Sequence, residues 1–381
     1  MTISVVVLGG GYSGIEFAQE FTSIISPEVA HVTVVDKLNF TFHHDAIPRA
    51  LVERSFVPKL FVPTNKAIST NATFVHGIVE AINSHELVVR CIENDELAAN
   101  TTHISFDYLV IASGSTYPAP IKVPSHTFSR ESIEAAIYEA HDHIAAAQSV
   151  LVVGGGSVGC EVAGEIAVAY PNKKVTLVDG NDHLIANAKM NDEFRQRLLD
   201  ELKKYNVQVI LGQRPKQHIT KQCYEHKSIE LTKGTKIVSD VQLICAGMVP
   251  NTSLIKELDI NLVTPKGLKV KPSMELDDDR YSHIYVIGDA SNHPSPKTAH
   301  IAGDQAEFLA HGLAAKIQNG TPMKDFSSGP TEGLMVPIGP EGGVAQLLDG
   351  RVEGSWLVIK KKHKDYNTGR IWSEWNASIP E

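Results

Sequence analysis

The sequence predicts an α/β protein with two Rossmann-like dinucleotide-binding domains and a small C-terminal α+β domain. A glycine-rich strand–turn–helix motif occurs twice, and each copy is followed about 20 residues later by an acidic residue that ends a second strand. The chain has 381 residues, which is long enough for two to three domains that each bury a core.

The first copy of the motif lies near the start of the chain, in the segment VVVLGGGYSGIEFAQEF. Its β-branched residues predict a buried strand, and Gly9, Gly11 and Gly14 match GxGxxG. The first glycine permits a tight turn, the second lets the backbone approach a pyrophosphate, and the third lets the helix pack closely on the strand. The segment HVTVVD ends at Asp36, 22 residues after Gly14, where a carboxylate can accept the hydroxyls of an adenosine ribose.

The second copy, VLVVGGGSVGCEVAGEI, repeats the arrangement 145 residues later with Gly154, Gly156 and Gly159. Its second strand, KVTLVD, ends at Asp179, 20 residues after Gly159. A lone GxGxxG is weak evidence, whereas an ordered repeat of strand, motif, helix, strand and acid indicates two dinucleotide sites. Two dinucleotides in one chain favour hydride transfer from nicotinamide to flavin. The alternative, one copy kept only as scaffold, stays open.

Composition and charge argue against several classes of protein. The chain is 43% hydrophobic, which argues against disorder, and its net charge of −9 gives no overall attraction to nucleic acid. The four cysteines form no CxxC, so we expect a reduced, intracellular protein without a zinc or cluster site. The sequence shows no bilayer-spanning run, leader or acylation signal, which predicts a soluble or at most peripheral protein.

These motifs resemble the two-dinucleotide flavoprotein oxidoreductases of the pyridine nucleotide-disulfide reductase type, in the branch of apoptosis-inducing-factor-like proteins, ferroptosis suppressor proteins and type II NADH:quinone reductases. The segments FHH, YLVIASGS, VIGDAS and PEGGVAQL carry the resemblance further along the chain. It implies that the first unit binds FAD and the second binds NADH. The cofactor-binding positions that it implies are Gly9, Gly11, Tyr12, Ser13, Gly14, Asp36, Lys37, Arg49, Val79, Ala112, Ser113, Gly114, Gly154, Gly156, Ser157, Val158, Gly159, Asp179, Gly247, Gly288, Asp289, Lys297, Thr298 and Ala299.

The resemblance also implies a domain order in which the donor domain is inserted into the flavin domain. The two crossover segments are rich in Pro, Gly, Ser and Thr, as linkers are. Either a monomer or a homodimer is expected. The expected domains are 1–115 with 247–325 for FAD, 116–246 for NAD(P)H, and 326–381 as a C-terminal domain with short strands.

Two further segments are expected to border the flavin. Asp289 ends a strand before a helix predicted over about 298–316, and the resemblance gives it the ribityl chain; an ordinary helix N-cap is the alternative. The small residues Ala112 to Gly114 let a crossing chain lie against the flavin nucleotide, unless they are a plain strand-to-turn exit.

Hydride transfer between cofactors needs orienting groups rather than a nucleophile. The resemblance places Glu161, in the first turn of the second phosphate-binding helix, at the nicotinamide amide; the alternative is that Glu161, like Glu165 and Glu16, only favours a helix N-terminus. Lys297 could offset negative charge on reduced flavin, or could be a solvated lysine. Arg49 is expected to border the flavin.

The adjacent histidines His43 and His44 could suggest a metal. Neighbouring positions on a strand face opposite ways, however, and no cysteine or carboxylate cluster completes a ligand set. No metal site is predicted.

The leading hypothesis is an FAD-dependent NAD(P)H:quinone oxidoreductase that prefers NADH, because Asp179 repels the extra phosphate of NADPH; Lys174 or His183 could accept that phosphate instead. The alternatives are a reductase of a small electron-carrier protein, to which the net charge gives little support, and an apoptosis-inducing-factor-like redox-sensing interaction protein. Cys160 has no nearby partner cysteine, so sulfide:quinone and disulfide reduction are not expected.

All three tryptophans, Trp356, Trp372 and Trp375, fall in the final 26 residues. An apolar strand is predicted at 357–359, followed by the basic run KKKHK. Tryptophan and lysine beside an apolar strand favour peripheral contact with a membrane surface near the acceptor site. The alternative is an ordinary packed strand with a solvated basic turn.

Overall fold

The computed structural model describes residues 2–68, 72–124, 126–186, 189–217, 219–329, 332–362 and 364–380. Its first third contains a Rossmann-like unit followed by an antiparallel extension. The strands are β1 (Ile3–Leu8), β2 (Ala30–Asp36), β3 (Phe40–Phe42), β4 (Phe61–Pro63), β5 (Ala72–Ile82), β6 (Glu86–Glu93), β7 (Glu96–Ser105), β8 (Tyr108–Ile111) and β9 (Ser115–Thr116), and the helices are α1 (Tyr12–Ile24), α2 (Ile47–Ala50) and α3 (Thr64–Ala67).

The middle third contains the second Rossmann-like unit. Its helices are α4 (Arg130–Ala146), α5 (Ser157–Ala169) and α6 (Asp192–Lys204), and its strands are β10 (Ser149–Val153), β11 (Lys174–Val178), β12 (Gln208–Ile210), β13 (Lys227–Glu230), β14 (Lys236–Ser239) and β15 (Val241–Ile244). Four of the strands form a parallel sheet in the order β12-β11-β10-β15.

The last third returns to the first sheet and then adds a small antiparallel sheet and two helices. Its strands are β16 (Val249–Pro250), β17 (Val263–Thr264), β18 (Gly267–Leu268), β19 (Ile284–Val286), β20 (Leu334–Ile338), β21 (Gly342–Gln346) and β22 (Val352–Glu353), and its helices are α7 (Ser253–Leu258), α8 (Ala299–Asn319), α9 (Ser355–Lys362) and α10 (Thr368–Glu374).

The first sheet has seven strands in the order β19-β8-β1-β2-β5-β6-β7. β1 lies parallel between β2 and β8, and β19 pairs with β8 although Ile284 follows its partner Leu109 by 175 residues in the chain. Consecutive parallel strands require crossover connections, which are here α1 and the long excursion through the second unit. The predicted fold, an α/β protein with two Rossmann-like units, is therefore confirmed.

The C-terminal segment packs against both units. β20 lies on α5, where a Cβ atom placed on Gly164 would be 2.8 Å from Ile338 Cγ2. Trp372 and Trp375 instead belong to the hydrophobic cluster of the first unit, and the Trp372 indole donates to the Lys59 carbonyl oxygen at 2.9 Å. These contacts bring the end of the chain between the two dinucleotide units.

The strand predicted at 357–359 is wrong, because these residues belong to helix α9. A three-residue apolar run does not distinguish the periods of helix and strand. In the helix, Leu357 and Val358 are buried against β21, while Trp356 is 59% exposed. No helix in the described part of the chain is long and apolar enough to cross a membrane.

Candidate active site

The first glycine-rich turn joins β1 to α1 in the geometry that its sequence predicts. Gly9 has a φ of +115°, and a Cβ atom there would lie 2.4 Å from the Ala112 carbonyl oxygen. A Cβ atom on Gly14 would lie 1.9 Å from the Gly9 carbonyl oxygen, whereas one on Gly11 meets nothing within 4 Å. The turn therefore leaves no space for a side chain at Gly9 or Gly14. It is open at Gly11, where a pyrophosphate fits.

The second turn, between β10 and α5, repeats this geometry. Gly154 has a φ of +119°, and a Cβ atom on Gly159 would lie 1.8 Å from the Gly154 carbonyl oxygen. A Cβ atom on Gly156 would meet no other atom within 4 Å. The residues that the structure describes provide no side-chain cap at the start of α1 or α5. The first N–H groups of both helices, at Tyr12–Ser13 and Ser157–Val158, are thus left for an anion.

The two strand-end acids fix the turns. Asp36 Oδ2 accepts from the Gly10 N–H at 2.5 Å, and Asp179 Oδ2 accepts from the Gly155 N–H at the same distance. The second Asp179 oxygen accepts from the Asn181 N–H at 2.7 Å. Burial raises the pKa of Asp36. Each carboxylate is held at the mouth of its own glycine-rich turn.

Asp289 lies in a single 3-10 turn, Gly288–Ala290, directly after β19. Its Oδ2 accepts from Ser115 Oγ at 2.6 Å and from Lys122 Nζ at 3.0 Å. Although burial opposes ionisation, Lys122 and the Ser115 hydroxyl hold the pKa of Asp289 below its usual value. Helix α8 is capped instead by Thr298, immediately before Ala299, so the N-cap alternative for Asp289 is wrong.

Lys297 is tied to the same turn rather than solvated. Its Nζ donates to the Gly288 carbonyl oxygen at 3.2 Å and to the Ser291 carbonyl oxygen at 2.8 Å, and burial lowers its pKa. Gly288 also lies beside Ser13 of α1, whose Oγ would be 3.1 Å from a Cβ atom on Gly288. The Gly-Asp turn and the first glycine-rich turn therefore meet.

The two crossovers between the units are joined side by side. β9 pairs antiparallel with β16, and Asn251 donates through Nδ2 to the Ser113 carbonyl oxygen at 2.7 Å and accepts from Ser113 Oγ at its own carbonyl oxygen. Gly114 and Gly247 have φ values of +65° and +86° with open space at both Cβ positions. Asn251, Ser115 and Lys122 are residues that sequence reasoning missed, because their partners lie more than 130 residues away.

Glu161 meets Lys362 of α9 inside the molecule. Its Oε1 lies 3.2 Å from Lys362 Nζ, and the two side chains are 8% and 24% exposed. Burial raises the pKa of Glu161 to about 7, opposed by Lys362. Glu161 is the fifth residue of α5, so its expected place in the first turn is wrong. It is a buried ion-pair partner, not a helix-start carboxylate.

Arg49 is also held by the second unit. It makes a two-point ion pair with Glu165, with Nε and Nη2 at 2.8 and 2.9 Å from the carboxylate oxygens. Tyr366 donates to the same carboxylate at 2.9 Å, and Arg49 Nη1 donates to the Lys364 carbonyl oxygen. These contacts join α2, which carries Arg49, to α5 and to the C-terminal segment. They do not involve a flavin, so the expectation that Arg49 borders the flavin stays a prediction.

The adjacent histidines do not lie on a strand. His43 follows β3 and precedes the 3-10 helix His44–Ala46, so the expected placement of the two histidines on opposite faces of a strand is wrong. His43 Nδ1 is 2.6 Å from the Tyr12 hydroxyl and its Nε2 is 3.1 Å from Thr368 Oγ1, and burial lowers its pKa to about 4. In the described part of the chain, no group of three or more His, Cys, Asp and Glu side chains could hold a metal ion.

The remaining predicted residues lie at the edges of the site. Val79 is buried with Val35 in the core next to β2. Lys37 donates to the Pro124 carbonyl oxygen, and burial lowers its pKa to about 8. Lys174 begins β11, at the opposite end from Asp179, so its proposed contact with a phosphate near Asp179 is wrong.

The family comparison decides the assignment. The model of the pyridine nucleotide-disulphide oxidoreductase family matches residues 4–306. The chain belongs to this family. Membership makes it an FAD-dependent NAD(P)H oxidoreductase that binds FAD and a nicotinamide dinucleotide.

Individual relatives extend the likeness of this pyridine nucleotide-disulphide oxidoreductase to its C-terminal segment. Apoptosis-inducing factor homolog B of Dictyostelium discoideum is 31% identical, over 99% of this chain and 97% of the relative. Ferroptosis suppressor protein 1 of Mus musculus is 29% identical, with the same coverage. The crystal structure of the sulfide:quinone oxidoreductase from Aquifex aeolicus aligns with a TM-score of 0.75 and 16% identity, over 99% of this chain and 92% of that chain.

Proposed function

We propose that this protein is an NAD(P)H:quinone oxidoreductase that prefers NADH. Bound FAD would supply the redox chemistry, which is acceptance of a hydride from the nicotinamide and transfer of two electrons to a quinone. The observation that carries the proposal is the Glu161–Lys362 pair, which lies where the C-terminal segment packs against the second unit. The similarity to the sulfide:quinone oxidoreductase is one of fold. It supports a quinone as the acceptor only to that extent.

The first unit supplies the residues that would hold FAD. The open face at Gly11 and the uncapped start of α1 suit the pyrophosphate. Asp36 suits the adenosine ribose, and Asp289 suits the ribityl hydroxyls, because its carboxylate is kept ionised beside Lys122. Lys297 holds the turn that carries Asp289.

The second unit supplies the donor site. Gly156 and the start of α5 suit the pyrophosphate of NADH. Glu161 orients the nicotinamide by accepting its amide N–H group, and Lys362 favours the ionised carboxylate that accepts most strongly. An oriented donor is the main contribution that a protein makes to hydride transfer.

Asp179 sets the donor preference. Repulsion between a carboxylate and a phosphate charge about 4 Å away weakens the binding free energy by at most ~4 kcal/mol at an effective dielectric of about 20. Screening by salt reduces this loss to about 1–3 kcal/mol. That range corresponds to a roughly ten- to hundredfold preference for NADH.

Helix α9 is the proposed contact with a membrane that supplies a lipid-dissolved quinone. Trp356 is 59% exposed on this helix, and Lys360 and Lys361 are exposed at its end. Lys362 does not belong to this surface, because it pairs with Glu161, and His363 lies outside the described residues. Trp372 and Trp375 are buried and are structural.

The test is an anaerobic titration of the yellow protein with NADH, followed by a panel of acceptors. We expect one equivalent of NADH per flavin to bleach the flavin absorbance. A quinone should then restore it at a rate no slower than steady-state turnover. A colourless preparation that cannot be reconstituted with FAD would contradict the proposal, and so would reoxidation by a small iron–sulfur carrier but by no quinone.

A further inference from the structure

His44 and Asp45 form an imidazole–carboxylate pair in the 3-10 helix His44–Ala46. His44 Nε2 lies 3.5 Å from Asp45 Oδ1, and the two side chains are 32% and 37% exposed. Their neighbours in the chain, His43 and Ala46, are fully buried. The pair is therefore an accessible spot in an otherwise buried segment.

Charged residues of three other segments surround this pair. Lys122 follows β9, Asp289 belongs to the Gly-Asp turn after β19, and Lys362 ends α9. Lys122 and Asp289 act electrostatically on His44. Lys362 and Lys122 act on Asp45. The accessible face of the pair therefore opens into the space between the Gly-Asp turn, proposed for the flavin, and the end of α9, which lies beside the proposed donor site.

The hydrogen bonds of the imidazole decide which ring nitrogen can exchange a proton. His44 Nδ1 lies 3.3 Å from the Phe42 carbonyl oxygen. Since a carbonyl oxygen only accepts, Nδ1 carries a hydrogen. In the neutral ring Nε2 is then the unprotonated nitrogen, and its 3.5 Å distance from Asp45 is longer than a hydrogen bond. Nε2 is therefore the atom that can take up and release a proton.

Quinone reduction requires a proton that NADH does not supply. A quinone takes up two electrons and two protons to become a hydroquinone, whereas a hydride carries two electrons and one proton. The balanced reaction is NADH + H⁺ + quinone → NAD⁺ + hydroquinone. The second proton has to reach a quinone oxygen inside the molecule, and a positioned side chain speeds such a transfer roughly 100- to 10,000-fold.

We propose that His44 is the proton donor of quinone reduction, through Nε2, and that Asp45 positions and stabilises its protonated form. The inference rests on the proposed function, because it requires a quinone as the acceptor. The Nε2–H bond of the imidazolium breaks as an O–H bond of the hydroquinone forms, and Nε2 then recovers a proton from water. The Tyr12 ring, whose centroid is 4.8 Å from that of His44, packs against the imidazole.

The surroundings of His44 predict a pH dependence. Burial and Lys122 lower its pKa, and Asp45 and Asp289 oppose this effect. The protonated, donating form is therefore lost as the pH rises through a pKa below the usual value of about 6.5. Reoxidation of the flavin by a quinone should slow as the pH rises, whereas its reduction by NADH should become faster. The titratable and charged groups that face the pair are Tyr12, His43, Lys122, Asp289 and Lys362.

The decisive experiment is stopped-flow reoxidation of the NADH-reduced protein by a water-soluble quinone and, separately, by ferricyanide. Ferricyanide takes up one electron and no proton, so it reports electron transfer alone. We expect His44→Asn to slow reoxidation by the quinone about 100-fold and to leave reoxidation by ferricyanide and the FAD content unchanged. His103→Asn is the matched control, since His103 is an exposed histidine that pairs with Glu86 at 2.8 Å, and it should change neither rate.

Two further measurements separate proton donation from a structural role. Imidazole added to His44→Ala should restore the quinone rate, because a small proton donor then replaces the missing side chain. Asp45→Asn removes a carboxylate that favours the imidazolium. It should therefore move both the midpoint of the pH profile and the pKa of His44, measured by NMR of histidine-labelled protein, to lower pH. Absence of rescue together with an unmoved midpoint would overturn the assignment.

The outcomes also separate this inference from the proposed function. If a quinone reoxidises the wild type and His44→Asn equally fast, His44 is not the donor and the proposed function stands. If no quinone reoxidises the wild type, the proposed function is wrong and the inference is overturned with it. Equal slowing with ferricyanide and with the quinone would also overturn the inference, because His44 would then act on electron transfer rather than on the proton.

Discussion

Glu161 and Lys362 are separated by 201 residues in the chain and form one ion pair. The placement of Glu161 on α5 was predictable, because the glycines start this helix, although Glu161 lies beyond the first turn, where it was expected. Lys362 was not, because its place depends on whether the preceding apolar residues form a strand or a helix. At the residue scale, sequence therefore predicts what a local motif positions and misses partners supplied by tertiary packing.

The first prediction concerns Glu161. Glu161→Gln should slow reduction of the flavin by NADH about 100-fold, because a misplacement of about 1 Å has an effect of that size on hydride transfer. FAD content should not change, since Glu161 belongs to the second unit. Stopped-flow absorbance measures the rate, and Glu16→Gln, at the equivalent position of α1, is the control. An unchanged rate would show that Glu161 does not orient the donor.

The same pair predicts a pH dependence. The pKa of Glu161 is about 7, above its usual value, so the carboxylate forms only as the pH rises through 7. The rate of flavin reduction should therefore rise with pH across this range. Lys362→Met removes the cation that opposes the effect of burial, so the midpoint should move to higher pH. A midpoint that stays in place or falls would contradict the assignment.

Arg49 and Glu165 predict an effect on stability. The Arg49 and Glu165 side chains are 9% and 2% exposed, and loss of one partner leaves a buried charge without compensation. Glu165→Gln should lower the free energy of unfolding by about 3–5 kcal/mol. Glu53→Gln is the control, because Glu53 lies 4.0 Å from Arg49 and is half exposed. Equal denaturation midpoints in urea for the wild type and Glu165→Gln would show that the pair is not stabilising.

At the scale of elements, the glycine-rich turns and the helices that follow them were predictable, and α9 was not. A GxGxxG turn needs particular backbone angles and contacts, and Gly9 and Gly14 show both. Helix α9 has no such local requirement. Its helical form follows from packing of Leu357 and Val358 on the C-terminal sheet, which is a tertiary property.

Helix α9 leads to a prediction about membranes. Lys360→Gln with Lys361→Gln should reduce binding to anionic liposomes, because each lysine near such a surface contributes about 1 kcal/mol. Turnover of a lipid-dissolved, long-tail quinone should fall, while turnover of a water-soluble quinone should not. The charge-matched control is Lys66→Gln with Lys256→Gln, at exposed positions on other elements. Equal liposome binding by the wild type and the α9 variant would show that α9 has a structural role and does not bind the membrane through these lysines.

At the scale of the whole molecule, the duplicated motif was enough to predict two Rossmann-like units. The domain boundaries at 115–116 and 246–247 remain a proposal, supported by the pairing of β9 with β16 at the two crossovers. The position of the C-terminal segment could not be read from its composition. Trp372 and Trp375 pack into the first unit and Lys362 reaches the second, and both contacts require the complete fold.

The central claim is that the first unit holds FAD and the second holds NADH. Gly11 and Gly156 test it together, because both have extended backbones that valine adopts and both have open Cβ positions. Valine at either position should keep the fold and fill the space of one pyrophosphate.

The measurement is the flavin absorbance spectrum of Gly11→Val and Gly156→Val before and after anaerobic addition of NADH. Gly11→Val should be folded and colourless. Gly156→Val should be yellow, with FAD at the wild-type level, and should not be bleached by NADH. Full FAD in Gly11→Val, or rapid bleaching of Gly156→Val, would contradict the assignment of the two units.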